Sequence, residues 1–158
     1  MSNLPADYEK TLDFLYSFVD YSLTRQLRFS PEKFNLERMK TLMSLLGDPQ
    51  DEYPVVHIAG TKGKGSTAVF IASVLQQAGY KVGLYTSPHL HDYVERIQIN
   101  RVSMSHAELI DEVERLKIVL PGVPEITTFE ITTAIAFRYF AEQKVDIAVI
   151  EVGLEYNV

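Results

Sequence analysis

The sequence predicts an α/β fold, a parallel sheet covered by helices on both faces in three layers, preceded by two N-terminal helices. Two observations carry this. After Pro49, short apolar runs alternate with segments of helical periodicity. Those runs ("VVHIAG", "KVGLYTS", "VDIAVIEVG") are near-continuous in apolar character, as strands buried on both faces require.

The elements follow in order. "DYEKTLDFLYSFVDYS" places Tyr8, Leu12, Leu15 and Val19 on one helical face, and "YSLTRQLRFS" reads as a loop. Ser30-Pro31 supplies an N-cap with proline at the first helical position, opening a helix through Leu46 that Gly47 and Pro49 stop. "VVHIAG" is a strand running into glycines. "STAVFIASVLQQAG" is a helix with Val69, Ala72 and Leu75 on one side, and "KVGLYTS" is the next strand. "RIQIN" reads as a short exposed strand, because Ile97 and Ile99 alternate with polar neighbours. Ser105 and Glu108 make a capping box that starts a helix to about Val119. "FEITTAIAFRYFAEQ" is a strongly apolar helix and "VDIAVIEVG" a buried strand.

With 158 residues, the chain has the length of one domain with a substantial core. Its net charge of -6 argues against a broad nucleic-acid or membrane surface, while leaving room for a local cationic site. There is no cysteine, which excludes disulfides, Cys-ligated zinc and thiol catalysis. No signal-like or membrane-length apolar run appears, and the expected location is cytoplasmic.

The richest segment is "HIAGTKGKGST", between the first sheet strand and its helix. Ligands of such sheets bind beyond the carboxyl ends of the strands. Glycines let the backbone turn tightly and aim N–H groups inward, and the helix N-terminus favours phosphate. The spacing departs from the common phosphate-loop pattern G-x-x-x-x-G-K-[ST], since Gly63-Lys64 is followed by Gly65. A glycine-rich turn with an exposed lysine would share these features. On the phosphate reading, Gly60, Thr61, Lys62, Gly63, Lys64, Gly65, Ser66 and Thr67 form the nucleotide cradle. Lys64 then reaches the terminal phosphates, and Ser66 or Thr67 donates to a phosphate oxygen or approaches Mg²⁺.

Read together with "YTSPHL", "ERIQIN", "TTFE" and "IEVGL", this loop resembles that of the folylpolyglutamate synthase and dihydrofolate synthase family, which belongs to the Mur-ligase-like ATP-dependent amide-forming enzymes. The family loop reads G-T-N-G-K-G-S, and the resemblance runs in order from about Phe34 to Leu154. It implies a P-loop NTPase type of sheet, like the Mur ligase central domain, here incomplete. It also implies ATP and Mg²⁺ as cofactors, and a reaction joining L-glutamate to a folate or to dihydropteroate through an acyl phosphate. On the same resemblance, Ser87 and Glu151 are the metal ligands and Lys64 and Glu151 the catalytic residues. Thr128 and Phe129 of "TTFE", beside Thr127 and with His89 near, are the folate-side candidates. Lys62 stands where the family has asparagine.

The resemblance also implies a part of something larger. The family continues "EVGL" with G-G-R-x-D-A-T-N, whereas this sequence reads "EVGLEYNV". Residues 1–158 are thus expected to be the N-terminal part of the ATP-binding domain, monomeric and inactive alone as a ligase. The glutamate-binding second domain would lie downstream. Two other readings are a Mur-type peptidoglycan ligase, which shares the G-T-x-G-K loop, and a non-catalytic nucleotide-binding fragment.

Overall fold

The computed structural model describes residues 5–18 and 36–151. They divide into two compact units, one from Met1–Asp48 and His106–Ile135, the other from Pro49–Ser105 and Ala136–Val158.

The first unit is helical. Helix α1 (Ala6–Tyr16) buries Tyr8, Thr11 and Leu15, a spacing of three and four that makes one face. That face lies against α4 (His106–Val119), where Leu109, Val113 and Leu116 repeat the same spacing. The Tyr8 and His106 rings stack with centroids 3.8 Å apart, and the Lys117 ammonium sits 4.6 Å from the Phe14 ring centre. Helix α2 (Leu36–Leu45) contributes Leu42 and Met43 to the interior. Helix α5 (Thr128–Glu142) begins in this unit. Glu130 accepts from the Thr127 N–H and hydroxyl, each at 2.8 Å, and from Arg38 Nε at 3.2 Å.

The second unit holds the sheet. Its strands are β1 (Val55–Ile58), β2 (Val82–Tyr85), β3 (Ile97–Ile99), β4 (Val102–Ser103) and β5 (Ile147–Glu151), in the spatial order β1-β5-β2-β3-β4. β5 pairs in parallel with β1 on one side and β2 on the other. β3 and β4 add an antiparallel edge, with Asn100 and Arg101 at φ +49° and +66° making the tight turn. Helix α3 (Lys64–Gln77) packs on one face through Ala68 and Ala72, against Val82, Leu84 and Val149. The other face of β2 carries Gly83, where a β-carbon would come within 2.8 Å of the Phe140 ring, so only glycine lets this part of α5 lie so close. Each fully buried Leu, Ile or Val of these layers contributes roughly 1.5–3 kcal/mol.

The α/β expectation thus holds, with differences of physical origin. The sheet is mixed, because the β3–β4 hairpin extends the three parallel strands. Ile97 is buried, correcting the expected exposed strand: β3 pairs with β2 and is drawn into the core. β1 is half exposed, because among the described residues it has a neighbour on one side only. α3 starts at Lys64, two residues before the helix read from "STAVF". The expected start at Ser30-Pro31, the loop before it, Val19 and the departure after Leu154 lie outside the described residues.

Candidate functional site

The glycine loop occupies residues 59–63, between the end of β1 and the start of α3. Gly60 (φ +154°) and Gly63 (φ +74°, the helix N-cap) hold backbone conformations that side-chain-bearing residues rarely adopt. The Gly63 carbonyl accepts from the Thr67 N–H at 2.9 Å and from its hydroxyl at 3.0 Å, closing the first turn. Lys64 Nζ reaches back to the Gly60 carbonyl at 2.7 Å, which lays the ammonium over the loop. The first-turn N–H groups of α3 have no acceptor within the helix, and its dipole adds partial positive charge. Thr61, Lys62, Ser66 and Thr67 are all exposed around this turn. The loop is therefore a cationic, donor-rich cradle suited to an anion.

Glu151 ends β5, in register with Ile58 at the end of β1. Along β5, residues 147, 149 and 151 share a face. Val149 packs against α3, so Glu151 points toward the first turn of that helix. A β-carbon on Gly65 would lie 3.4 Å from its Oε2. Glu151 is only 6% exposed, and Oε2 accepts a single hydrogen bond among the described residues, from the Ser87 N–H at 3.0 Å. Burying a carboxylate is costly unless it is paired or hydrogen-bonded. Among the described residues no group of three or more His, Cys, Asp or Glu gathers to hold a metal. Glu151 and Ser87 are the neighbouring oxygen-bearing side chains, joined through the Ser87 N–H.

Ser87 opens the loop between β2 and β3, next to a cis bond to Pro88. The loop closes through the Thr86 N–H to the Arg96 carbonyl, 3.0 Å. Arg96 Nε donates to His89 Nδ1 at 2.9 Å, and its guanidinium lies 5.0 Å from the Tyr93 ring centre. Burial, and then the Arg96 charge, hold the His89 pKa below its usual value, so the ring favours its neutral form. Glu95 gathers the N–H groups of Leu90 (2.8 Å), His91 (3.2 Å) and Asp92 (3.1 Å). These backbone bonds, the Leu90 one foremost, hold its carboxyl below the usual range.

Set beside known proteins, this geometry has clear relatives, although no family model matches the chain. The Bacillus subtilis dihydrofolate synthase/folylpolyglutamate synthase is 45% identical over 128 residues, covering 77% of this chain and 30% of the relative. The folylpolyglutamate synthase structure from Thermotoga maritima superposes with a TM-score of 0.80 at 39% identity, covering 93% of this chain and 33% of that one. The chain belongs to the folylpolyglutamate synthase/dihydrofolate synthase family. It spans about a third of the length of these relatives. A folylpolyglutamate synthase structure in complex with AMPPCP and folate superposes with a TM-score of 0.81 at 37% identity, covering 92% of this chain and 35% of that one.

Within this folylpolyglutamate synthase-type chain, Gly60 to Thr67, Ser87, His89 and Glu151 all belong to the second unit, and Gly65, Ser87 and Glu151 converge directly. Thr128 and Phe129 belong to the first. The Thr128 hydroxyl lies 3.0 and 3.2 Å from the Leu15 and Phe18 carbonyls, so its proton serves packing of α5 against the end of α1. Phe129 is half-buried at the start of α5. Sequence reasoning missed the parts of Glu95 and Arg96. The spacing D-Y-V-E at Asp92–Glu95 is a capping-box signal that would have found the first. No local pattern announces the Arg96–His89 bond.

Proposed function

We propose that this chain is the nucleotide-holding part of an ATP-dependent ligase that adds L-glutamate to a folate or to dihydropteroate. The observation that carries the reading is the convergence of the buried Glu151 carboxylate, the Ser87 loop and the first turn of α3. N–H groups of that turn and the Lys64 ammonium bind phosphate oxygens, with Gly60 and Gly63 letting the backbone approach. Thr61, Lys62, Ser66 and Thr67 complete the rim. Glu151 and Ser87 would hold Mg²⁺, whose preference for oxygen ligands and retained waters suits a site with few protein ligands. When bound, Mg²⁺ neutralises charge on the phosphates.

In the parent reaction the γ-phosphoryl group passes from ATP to the acceptor carboxylate, and ADP leaves. The glutamate amine then attacks the acyl phosphate carbon and expels phosphate. Lys64 stabilises charge on the transferring oxygens by position and electrostatics. On the folate side we assign Phe129, as a face for a pterin ring; His89 is assigned separately, as a polar group of the Ser87 loop. The relatives carry about twice as much chain again, and we assign glutamate binding to that part. The expected setting is cytoplasmic and monomeric; no helix among the described residues is long and apolar enough to cross a membrane.

Calorimetric titration of the purified chain with ATP, with Mg²⁺ or with EDTA, tests this. Binding should tighten with Mg²⁺. Lys64→Ala should weaken it by about ten- to a hundredfold, the worth of a charge-assisted hydrogen bond, and Glu151→Gln should remove the Mg²⁺ gain. Unchanged affinity in both variants would defeat the reading. Mg²⁺-dependent ATP binding, with no folate-type ligand stabilising a protein of the relatives' full length, would favour a nucleotide-binding module of another kind.

A further inference from the structure

We infer that Glu95 is a positioning residue: its carboxylate gathers the backbone of Leu90, His91 and Asp92 and thereby fixes the loop that holds Ser87 beside Glu151. The inference rests on the nucleotide and Mg²⁺ reading of that site.

The loop runs from Ser87 to Arg96, and without internal order a segment of this length samples many conformations. The structure shows three ties. At the base, the Thr86 N–H meets the Arg96 carbonyl. Across the middle, Arg96 Nε meets His89 Nδ1. At the tip, Glu95 collects three consecutive N–H groups, while the Asp92 side chain caps the turn Tyr93–Arg96 in return. Consecutive N–H groups turned onto one carboxylate form an anion-binding concavity, and here the anion is the protein's own.

Glu95 stands on the turn leading into β3, which is paired to β2 through Tyr85↔Ile97 and buried at Ile97. The carboxylate therefore transfers the rigidity of the sheet to the loop. Ser87, at the other end, spends its N–H on Glu151 and makes no hydrogen bond with its hydroxyl among the described residues. That hydroxyl is useful to a cation only if the loop holds it in place before the ion arrives. Outer partners that orient metal ligands commonly change metal affinity by about 10–100-fold when removed. The hydrogen bonds of Glu95 go to its own loop and not to Glu151 or the glycine loop, so its influence runs through loop shape.

The test is the same ATP titration on the full 158-residue chain, in Mg²⁺ and in EDTA, with Glu95→Gln. The amide keeps one acceptor oxygen and puts a donor in place of the other, against the N–H of Leu90 or of Asp92. The expected result is a loss on the order of tenfold in affinity with Mg²⁺ and little change in EDTA. Hydrogen exchange at Leu90, His91 and Asp92 should quicken. A purely structural role would lower the unfolding temperature and weaken both titrations alike, and would overturn the inference. So would quickened exchange with the Mg²⁺ gain intact. If the unmodified chain shows no Mg²⁺ gain, the nucleotide reading fails and takes this inference with it. Should Glu95→Gln not fold, Asp92→Ala removes the reciprocal half of the same cap and is expected to give a smaller loss of the same pattern; an intact Mg²⁺ gain there would also overturn the inference.

Discussion

Gly65 and Glu151 face each other at the first turn of α3: a β-carbon on the glycine would rest in van der Waals contact with the carboxylate, 3.4 Å from one oxygen and 3.6 Å from the other. Gly65→Ala should therefore give effects of opposite sign. Alanine within a helix is favoured over glycine by about 1 kcal/mol, so the unfolding midpoint should hold or rise. The new methyl covers the carboxylate, so ATP affinity in Mg²⁺ should fall by about tenfold, as when a ligand's immediate surroundings are altered. Thermal unfolding beside calorimetry checks both; a stabilised variant with full Mg²⁺-ATP affinity would refute the placement of the ion.

Gly83 lies under the Phe140 ring, where a β-carbon would stand 2.8 Å from Cδ1. Gly83→Ala should destabilise the chain by about 1–3 kcal/mol through overpacking. The double variant with Phe140→Leu should recover part of that loss. Urea denaturation measures it, and a neutral single variant would mean that α5 shifts at no cost.

Arg38 and Glu130 are both 13% exposed and 3.2 Å apart, while the second oxygen of Glu130 caps α5. Glu130→Ala should cost about 1–3 kcal/mol, since it removes the acceptor of the Thr127 N–H and one acceptor of Arg38. An unchanged denaturation midpoint would show that solvent replaces the carboxylate fully.

His89 should titrate below the ordinary value of about 6.5, for burial first and the Arg96 charge second. Its proton belongs on Nε2, since Nδ1 accepts from Arg96. The unfolded chain binds this proton more readily than the folded one, so the stability contributed is complete above the ordinary value. It declines as pH falls from there through the lower folded value. NMR titration of the ring reports both; Arg96→Gln should raise the midpoint only in part, because burial persists. A midpoint above about 6.5 in the unmodified chain would contradict the bond to Arg96.

The glycine loop and Glu151 are legible in the sequence because each is locally improbable without a role. Three glycines crowd the start of one helix, and a carboxylate ends an apolar strand. Ile97 is misread because alternation with Arg96 and Gln98 describes one strand's own faces and not what pairs beside it. The start of α3 is missed because Lys64-Gly65 is a weak helix signal that the N-cap geometry of Gly63 overrides. Neither the Thr128 bond to Leu15 nor the Arg38–Glu130 pair has a local signature, since each joins residues far apart in the chain.

The strand order has a consequence for how the site comes into being. β5, late in the chain, lies between β1 and β2, which come early and do not pair with each other. During synthesis the glycine loop and the Ser87 loop are made long before the strand that joins them. That pairing spans most of the sheet-forming sequence, a kind of closure that is slow because its entropy is lost before any contact compensates. The residue that ends this last strand is Glu151. The glycine loop, the Ser87 loop and the Glu151 carboxylate are therefore brought together only when β5 enters between β1 and β2.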